Sequence, residues 1–283
     1  MASSNNSYEA SFRDMIHDHN AKRWTDLESR LLDIVVVDGE SLPRDHFRDY
    51  LRNDLVGAEE TKEVRIDAIL VDADSKSIVA RLVNHVTLVD STKAFEYQEI
   101  VLANFINNLL SSWQTVRDED GFRNREPTVP CTPSSSSSSF NNPPSPLKTS
   151  AELKSFYRSY INSINEKTMA KEFDNFCQPK LNHNGRELTI AEYIPLISNS
   201  QDAIEGLRFH VQELFTDGET QQVAARLQFT GTPVKEWAGA KPNGKPVNFH
   251  EHVMYQLEHG RISRVWSTIE LDVYRNEMGK AIP

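Results

Sequence analysis

The segment Phe249–Trp266, FHEHVMYQLEHGRISRVW, decides the fold class. Apolar and polar side chains alternate on both sides of a central His-Gly pair. This is the pattern of two strands that bury one face and are joined by a tight turn. On the first strand the apolar face is interrupted only by Glu251, while His250 and His252 fall on the polar face. The segment therefore predicts an antiparallel hairpin with one carboxylate on its apolar side.

The pair His250-x-His252 raises the question of a metal site. With the preceding glycine, the stretch GKPVNFHEH is close to the first motif of cupins. However, five residues separate His252 from Glu258, outside the three or four of that motif, and no histidine follows Gly260. We therefore expect a polar outer sheet face with neither metal nor other cofactor. A metal-dependent oxygenase remains the third candidate function.

Composition limits the class of protein. The chain has 283 residues, of which 38% are hydrophobic and 25% charged, as in a globular protein with a substantial core. Its 31 Lys and Arg residues face 41 Asp and Glu residues, a formal charge of −10. This balance argues against a nucleic-acid partner. The start MASSNNSYEA has no apolar core typical of a signal peptide, and no apolar run is long enough for a membrane span, so we expect a cytoplasmic protein without membrane contact. Cys131 and Cys177 are not expected to pair.

A Ser/Pro-rich stretch divides the chain. Residues 118–150 include six consecutive serines flanked by prolines. Such a composition cannot bury enough apolar surface to offset the entropy of ordering. We therefore predict domains over residues 1–117 and 151–283, joined by a flexible linker over residues 118–150.

The two halves repeat each other in order. DGESLPRDHF from Asp38 parallels NGRELTIAEY from Asn184, and ARL recurs at Ala80 and Ala225. Near the end of each half, a similar strand places Trp113 opposite Trp266. Three matches in one order indicate a duplication.

Each half reads as helices followed by an antiparallel meander, which predicts an α+β fold. A turn at Asn184–Gly185 should close a short hairpin, and Thr189 should cap a helix that ends near Ser198. The other elements predicted in the second half are helices over 151–164 and 167–177 and strands over 207–215, 222–230, 247–258 and 261–270. Those in the first half are helices over 12–19, 24–32 and 44–51 and strands over 64–71, 78–89, 95–105 and 109–116.

The second half resembles a known family. RLQFTGTP (226–233), HNGRELTIAEY (183–193) and the segment from Gly239 to Asp272 are similar to motifs of the SnoaL-like branch of the nuclear-transport-factor-two-like superfamily. The resemblance is good across Ala151–Met278 and weaker across Tyr8–Val116. It implies two cone-shaped α+β barrel domains, in each of which a curved sheet wraps helices around an apolar pocket. Members of this family often form dimers through the outer faces of their sheets, which implies an intramolecular pseudo-dimer here. Further association into homo-oligomers is left open.

The resemblance also implies a chemistry. Scytalone dehydratase and ketosteroid isomerase, which are relatives of this branch, use pocket carboxylates and histidines without a cofactor, on cyclic carbonyl compounds. A buried carboxylate can remove a proton next to a carbonyl if a donor stabilises the oxyanion. We therefore look for a lone inward carboxylate.

The second half offers three candidate acids or bases. Glu251 interrupts an apolar strand face. Glu270 lies where the family's last strand usually carries an aspartate, and His183 precedes the Asn184–Gly185 turn. The expected substrate-binding residues are Tyr255, Trp266, Phe249 and Phe229.

In the first half, Val37 aligns with His183 and Arg117 with Glu270. Either Tyr97 or Gln98 aligns with Glu251, so we expect any chemistry in the second half. His85 and Glu99 nevertheless leave a second pocket open.

The leading hypothesis is a cofactor-independent cyclase, isomerase or dehydratase acting on a small, hydrophobic, polyketide-like carbonyl compound. The alternative is a non-catalytic scaffold of the same fold that binds a small ligand or a protein.

Overall fold

The chain forms two compact units, Met1–Ser134 and Ser135–Pro283. The computed structural model describes residues 6–53, 60–88, 94–129, 131 and 147–279. Within these residues, no helix combines the length and apolar character needed to cross a membrane. Each unit is an α+β structure with its own hydrophobic core.

The described residues of the second unit form four helices and a six-stranded sheet. In chain order its elements are α5 (Ser150–Asn165), α6 (Met169–Phe176), β7 (Cys177–His183), β8 (Arg186–Thr189), α7 (Ile190–Ala203), β9 (Ile204–Asp217), β10 (Gln222–Pro233), β11 (Val247–Glu258), β12 (Arg261–Ile269) and α8 (Leu271–Glu277). The strand order is β8-β7-β12-β11-β10-β9.

The first unit repeats this arrangement. Its elements are α1 (Asn6–Asn20), α2 (Trp24–Ser29), β1 (Leu31–Val37), β2 (Glu40–Pro43), α3 (Arg44–Asn53), β3 (Glu60–Asp72), β4 (Ser77–Leu88), β5 (Ala94–Ile106), β6 (Leu109–Arg117) and α4 (Glu119–Asn124). The strand order β2-β1-β6-β5-β4-β3 is the same as in the second unit. The predicted duplication is therefore confirmed at the level of topology.

The sheets differ from the expected antiparallel barrel in two ways. The short hairpins join their sheets through parallel pairs, β1 with β6 and β7 with β12, so both sheets are mixed. Both sheets are also open, because β2 and β3, or β8 and β9, lie at opposite ends of the strand order. The described residues therefore form open sheets that carry helices, and no closed barrel.

Two segments differ from the predicted elements. The helix predicted over 24–32 ends at Ser29, and Leu31 begins β1, whose buried Leu31 and Val35 pack in the core. Residues 119–124 form α4 inside the predicted linker, where the buried Asp118 carboxylate accepts from the N–H of Gly121. The serine run of the predicted linker lies outside the described residues.

Local sequence explains where two main helices of the second unit begin. Thr149 and Glu152 form a capping box at the start of α5, and Thr189 and Glu192 form another at the start of α7. Each box satisfies helix N–H groups that have no partner within the helix. The prediction that Thr189 caps a helix is confirmed, although α7 continues to Ala203.

Both cysteines are free, and both are buried. Burial raises the pKa of the Cys131 thiol to about 11 and that of Cys177 to about 12. Both side chains therefore remain protonated thiols at neutral pH.

Gly231 is required by a close approach between β9 and β10. The register of these strands shifts between Thr230 and Thr232. A Cβ at Gly231 would lie 2.7 Å from Ile204 Cγ2 and 3.0 Å from the carbonyl oxygen of Glu205. The Phe-x-Gly strand end in the sequence therefore marks a bulge with no room for a side chain.

Replacing this glycine should destabilise the second unit. Gly231→Ala should lower the free energy of unfolding by about 1–3 kcal/mol, because the new methyl group overpacks a bulge bounded by backbone. Urea unfolding monitored by circular dichroism measures the change. Gly218→Ala is the matched control, since its Cβ would find its nearest neighbours at 3.4 Å. Equal unfolding midpoints for the two variants would contradict this account.

Candidate active site

The second unit encloses a cavity of about 120 Å³ between α5, α7 and the inner face of the sheet. Most of its wall is apolar. The polar side chains that reach it are those of His183, Glu251 and Ser267 from the strands and of Tyr160, Tyr193, Ser200 and Tyr255. Five of the seven site residues expected from sequence lie in this wall: Glu251, His183, Tyr255, Phe249 and Phe229.

Glu251 is the carboxylate of the cavity. It lies on β11 between Phe249 and Val253, whose side chains share the inner face. Burial raises its pKa from 4.5 to about 7, and a hydrogen bond from Ser267 only partly offsets that effect. No charged group contributes to this shift, so Glu251 is a desolvated acid rather than half of an ion pair.

Ser267 is held in place by the turn of the β7–β8 hairpin. Its hydroxyl donates to Glu251 Oε1. Asn184, at φ 48°, accepts from the N–H of Ser267 at 2.9 Å and donates to its carbonyl oxygen at 3.0 Å. The residue that makes the turn therefore also fixes the only side chain that hydrogen bonds to Glu251 among the described residues.

His183 lies at the end of β7, beside this turn. Its ring lines the cavity and lies 5.6 Å from the ring of Tyr193, between centroids. Burial lowers its pKa to about 4, and the charge of Arg186 acts in the same direction. His183 is therefore neutral at pH 7 and can donate one hydrogen bond and accept another.

Two tyrosines form a hydroxyl pair that the sequence analysis missed. Tyr160 on α5 and Tyr193 on α7 have their hydroxyl oxygens 2.9 Å apart in the cavity wall. Burial raises the pKa of both phenols, so both remain protonated donors. In the sequence, Tyr160 and Tyr193 lie on the apolar faces of their helices, where an aromatic residue is interpreted as part of the hydrophobic core.

Aromatic rings form another part of the cavity wall. Phe229 and Phe249 have centroids 5.1 Å apart, and Trp237 lies 6.0 Å from Phe249. Trp237 comes from the loop between β10 and β11 and also contacts Tyr274 of α8 at 4.9 Å. Trp237 is not among the residues expected from sequence, because it lies in a loop whose path the alternation of strand residues cannot predict.

Trp266 does not line the cavity, contrary to expectation. The register of β11 and β12 shifts at Gln256 and Leu257, which pair with Arg264 and Ile262. The extra residue in β12 reverses the alternation beyond it. Val265 and Ser267 therefore face the cavity, and Trp266 is buried on the other face with its ring 5.5 Å from the Arg264 guanidinium.

The same shift takes Glu270 out of the cavity wall. Its Oε2 accepts from the backbone N–H of His250 at 2.8 Å and from the imidazole Nδ1 of His250 at 2.9 Å. Burial raises the pKa of Glu270, but these hydrogen bonds from His250 outweigh it, and the pKa is lower than usual. Glu270 is thus an ionised group at the start of α8 and does not contact the cavity.

His252, the other histidine of the suspected metal pair, and His210 are also engaged outside the cavity. The Arg226 guanidinium donates to His252 Nε2 at 2.6 Å, so that nitrogen carries no proton. His210 Nε2 lies 3.1 Å from the Thr230 hydroxyl. Within the described ranges, no group of three or more His, Cys, Asp or Glu side chains is arranged to hold a metal ion.

Strand register also corrects the alignment of the two halves. Trp113 accepts from the N–H of Asp38 as Val265 accepts from that of Asn184, so Trp113 matches Val265 and not Trp266. Glu99 pairs with Leu82 as Glu251 pairs with Leu227. Glu99 is therefore the counterpart of Glu251, in place of the expected Tyr97 or Gln98.

Comparison with known proteins finds one family model and several solved structures that are similar to this chain. Residues 151–274 match the model of the SnoaL-like polyketide cyclase family. A SnoaL-like polyketide cyclase from Agrobacterium tumefaciens is 31% identical, with 45% of this chain and 98% of that chain covered and a TM-score of 0.42. AclR from Streptomyces galilaeus, a proposed hydroxylase, is 21% identical over 48% of this chain and 100% of its own, with a TM-score of 0.42. No curated protein matches the chain significantly.

The chain belongs to the SnoaL-like polyketide cyclase family. Membership associates the second unit with cyclase-type proteins as a class. It leaves the reaction to be argued from the cavity.

Glu251→Gln should change how stability depends on pH. The folded chain binds the Glu251 proton more tightly than the unfolded chain, so this contribution to stability is complete below about pH 4.5 and is lost as the pH rises through about 7. Glutamine has no charge to desolvate. The variant should therefore gain stability relative to wild type between these limits, by a few kcal/mol at most, since one pKa unit corresponds to about 1.4 kcal/mol. Urea unfolding at several pH values measures the gain. A difference that does not vary with pH would contradict the assigned burial.

Proposed function

We propose that the second unit is a cofactor-independent acid–base enzyme acting on a small, hydrophobic, cyclic carbonyl compound. The observation that carries this proposal is Glu251, a carboxylate with a pKa of about 7 in a largely apolar cavity. A base with a pKa near the working pH combines a useful ionised fraction with a real affinity for the proton. A carboxyl group that served only as a surface charge would have no need of this environment.

Cavity size supports a substrate with a single ring. The cavity measures about 120 Å³, and an engineered apolar cavity of about 150 Å³ in another protein is known to bind benzene. Phe229, Phe249 and Tyr255 offer ring faces and edges against which such a substrate can pack. A fused system of several rings would require the cavity to open.

The roles follow from the protonation states. Ionised Glu251 removes a proton from the carbon next to the substrate carbonyl. Tyr160 and Tyr193 share one hydrogen bond, so the hydroxyl whose proton is not used between them, or the N–H of His183, donates to the oxygen as it becomes an enolate. In a conjugated substrate, return of the proton from Glu251 to another carbon gives isomerisation. Attack of the enolate on a second carbonyl gives cyclisation, and the new alkoxide takes the proton from Glu251. Loss of a β-hydroxyl from the enolate, protonated by Glu251 so that it leaves as water, gives dehydration.

The second candidate function is a non-catalytic site that binds an apolar ligand. The continuous aromatic wall of Phe229, Phe249 and Trp237 favours it. The two candidates differ in one respect: only the enzyme requires the Glu251 proton to be exchanged with the ligand.

Deuterium exchange separates these functions. We expect the full chain in D₂O to accelerate exchange of the protons next to the carbonyl in single-ring ketones such as cyclohexanone. Glu251→Gln should lower the rate at least about 100-fold, because it removes the base. The wild-type rate should rise with pH through about 7, as Glu251 ionises. Mass spectrometry follows the label.

Glu270→Gln is the matched control, since its carboxylate is bonded to His250 outside the cavity. It should retain the wild-type exchange rate within about threefold. Binding of the ketones without accelerated exchange would favour the non-catalytic site. Equal decreases in the exchange rate of the two glutamine variants would contradict the assignment of Glu251 as the base.

A further inference from the structure

We infer that the first unit holds a second small-molecule site, built on Glu99 and specific for a small hydroxy acid. A cavity of about 30 Å³ lies between α1, α3 and the sheet of this unit. Its charged and polar lining side chains are His19, Lys62, Glu99 and Thr115, with Trp113 and Tyr50 as aromatic walls. This site does not depend on the proposed function of the second unit.

Hydrogen bonds establish that the two carboxylates occupy the same place in the fold. Thr115 donates through its hydroxyl to Glu99 Oε2 at 3.0 Å, as Ser267 donates to Glu251. The N–H of Thr115 donates to Asp38 Oδ1 at 3.0 Å, as that of Ser267 donates to Asn184. The first unit has therefore kept the carboxylate, its hydroxyl donor and the turn residue that positions the donor.

The surroundings of the two carboxylates have opposite polarity. Asn20 bonds to both backbone groups of Val64 as Asn165 bonds to those of Phe209, which fixes the alignment of α1 with α5 and of β3 with β9. His19 then matches Ile164, and Lys62 matches Leu207.

A third difference between the units also makes the surroundings of Glu99 more polar. Asn84, the counterpart of Phe229, donates to Glu99 Oε1 at 2.9 Å. On the hairpin side of the carboxylate, Val37 and Phe47 of the first unit occupy the positions that His183 and Tyr193 occupy in the second unit. Polar groups have thus moved from the hairpin side of the carboxylate to the β3–β4 side.

The new polar side can recognise an anion. His19, Lys62 and Glu99 all line this small cavity, so the three groups lie close together. A lysine ammonium and an imidazole are donors suited to a carboxylate. Glu99 accepts two hydrogen bonds from Asn84 and Thr115, and a carboxylate can accept about four, so it has room for a donor from a ligand.

The small size of the cavity limits which group of a ligand can enter it. The interior has space for roughly two water molecules, since one requires about 10–15 Å³ by this measure. A hydroxymethyl group fits this space and donates to Glu99, while the carboxylate of the same molecule stays with the half-buried Lys62. Glycolate is the smallest molecule with both groups.

Calorimetric titration of the full chain with glycolate tests the site. We expect one site per chain, weakened at least about tenfold by Lys62→Leu, because the ligand carboxylate loses its charged partner. His19→Ile should also weaken binding. Each variant introduces the residue that the second unit uses at the matching position, and thermal unfolding verifies that it is folded. Acetate, which lacks the hydroxyl, should bind more weakly than glycolate.

Glu251→Gln controls for the second unit and should bind glycolate as wild type does. The proposal is overturned if wild type shows no saturable binding, if both Lys62→Leu and His19→Ile bind as tightly as wild type, or if Glu251→Gln abolishes binding. The last result would locate the ligand in the second unit.

Discussion

Each unit depends on one interaction between a turn and the last strand of its sheet. Asn184 leaves its strand in a left-handed conformation, and its side chain bonds to both backbone groups of Ser267. This contact joins the short hairpin in parallel to β12, encloses one end of the cavity with His183 and fixes the hydroxyl that donates to Glu251. Asp38 makes the corresponding bond to Thr115 in the first unit. A small polar residue at this turn therefore links backbone geometry to the position of the carboxylate.

The alternation of apolar and polar residues along β11 was sufficient to predict that Glu251 faces inward. The same alternation gave the wrong face for residues of the next strand, β12. On β11 the pattern runs without interruption, and the inward direction of Glu251 follows from parity alone. On β12 the register shift near Ile262 reverses parity, and neither Trp266 nor Glu270 faces the cavity. A bulge depends on how two strands pair, so a single strand sequence does not reveal it.

The tyrosine pair illustrates a different limit. Tyr160 and Tyr193 have the spacing of core residues on two separate helices, and only the packed structure brings their hydroxyls to 2.9 Å. Hydrophobic periodicity reports which face of an element is buried. It does not report that two buried polar atoms from distant segments will meet. The same limit explains why sequence similarity matched Trp113 with Trp266, whereas the backbone hydrogen bonds from Asp38 and Asn184 match Trp113 with Val265.

The buried thiols have a practical consequence for studying a duplicated chain. Cys131 lies in the first unit and Cys177 in the second, each buried and protonated at neutral pH. An alkylating reagent reacts with the thiolate, and so with either residue only when its surroundings open. Peptide mapping after timed alkylation thus reads the opening of the two units separately. A chain whose halves share one topology thereby carries one natural label for each half.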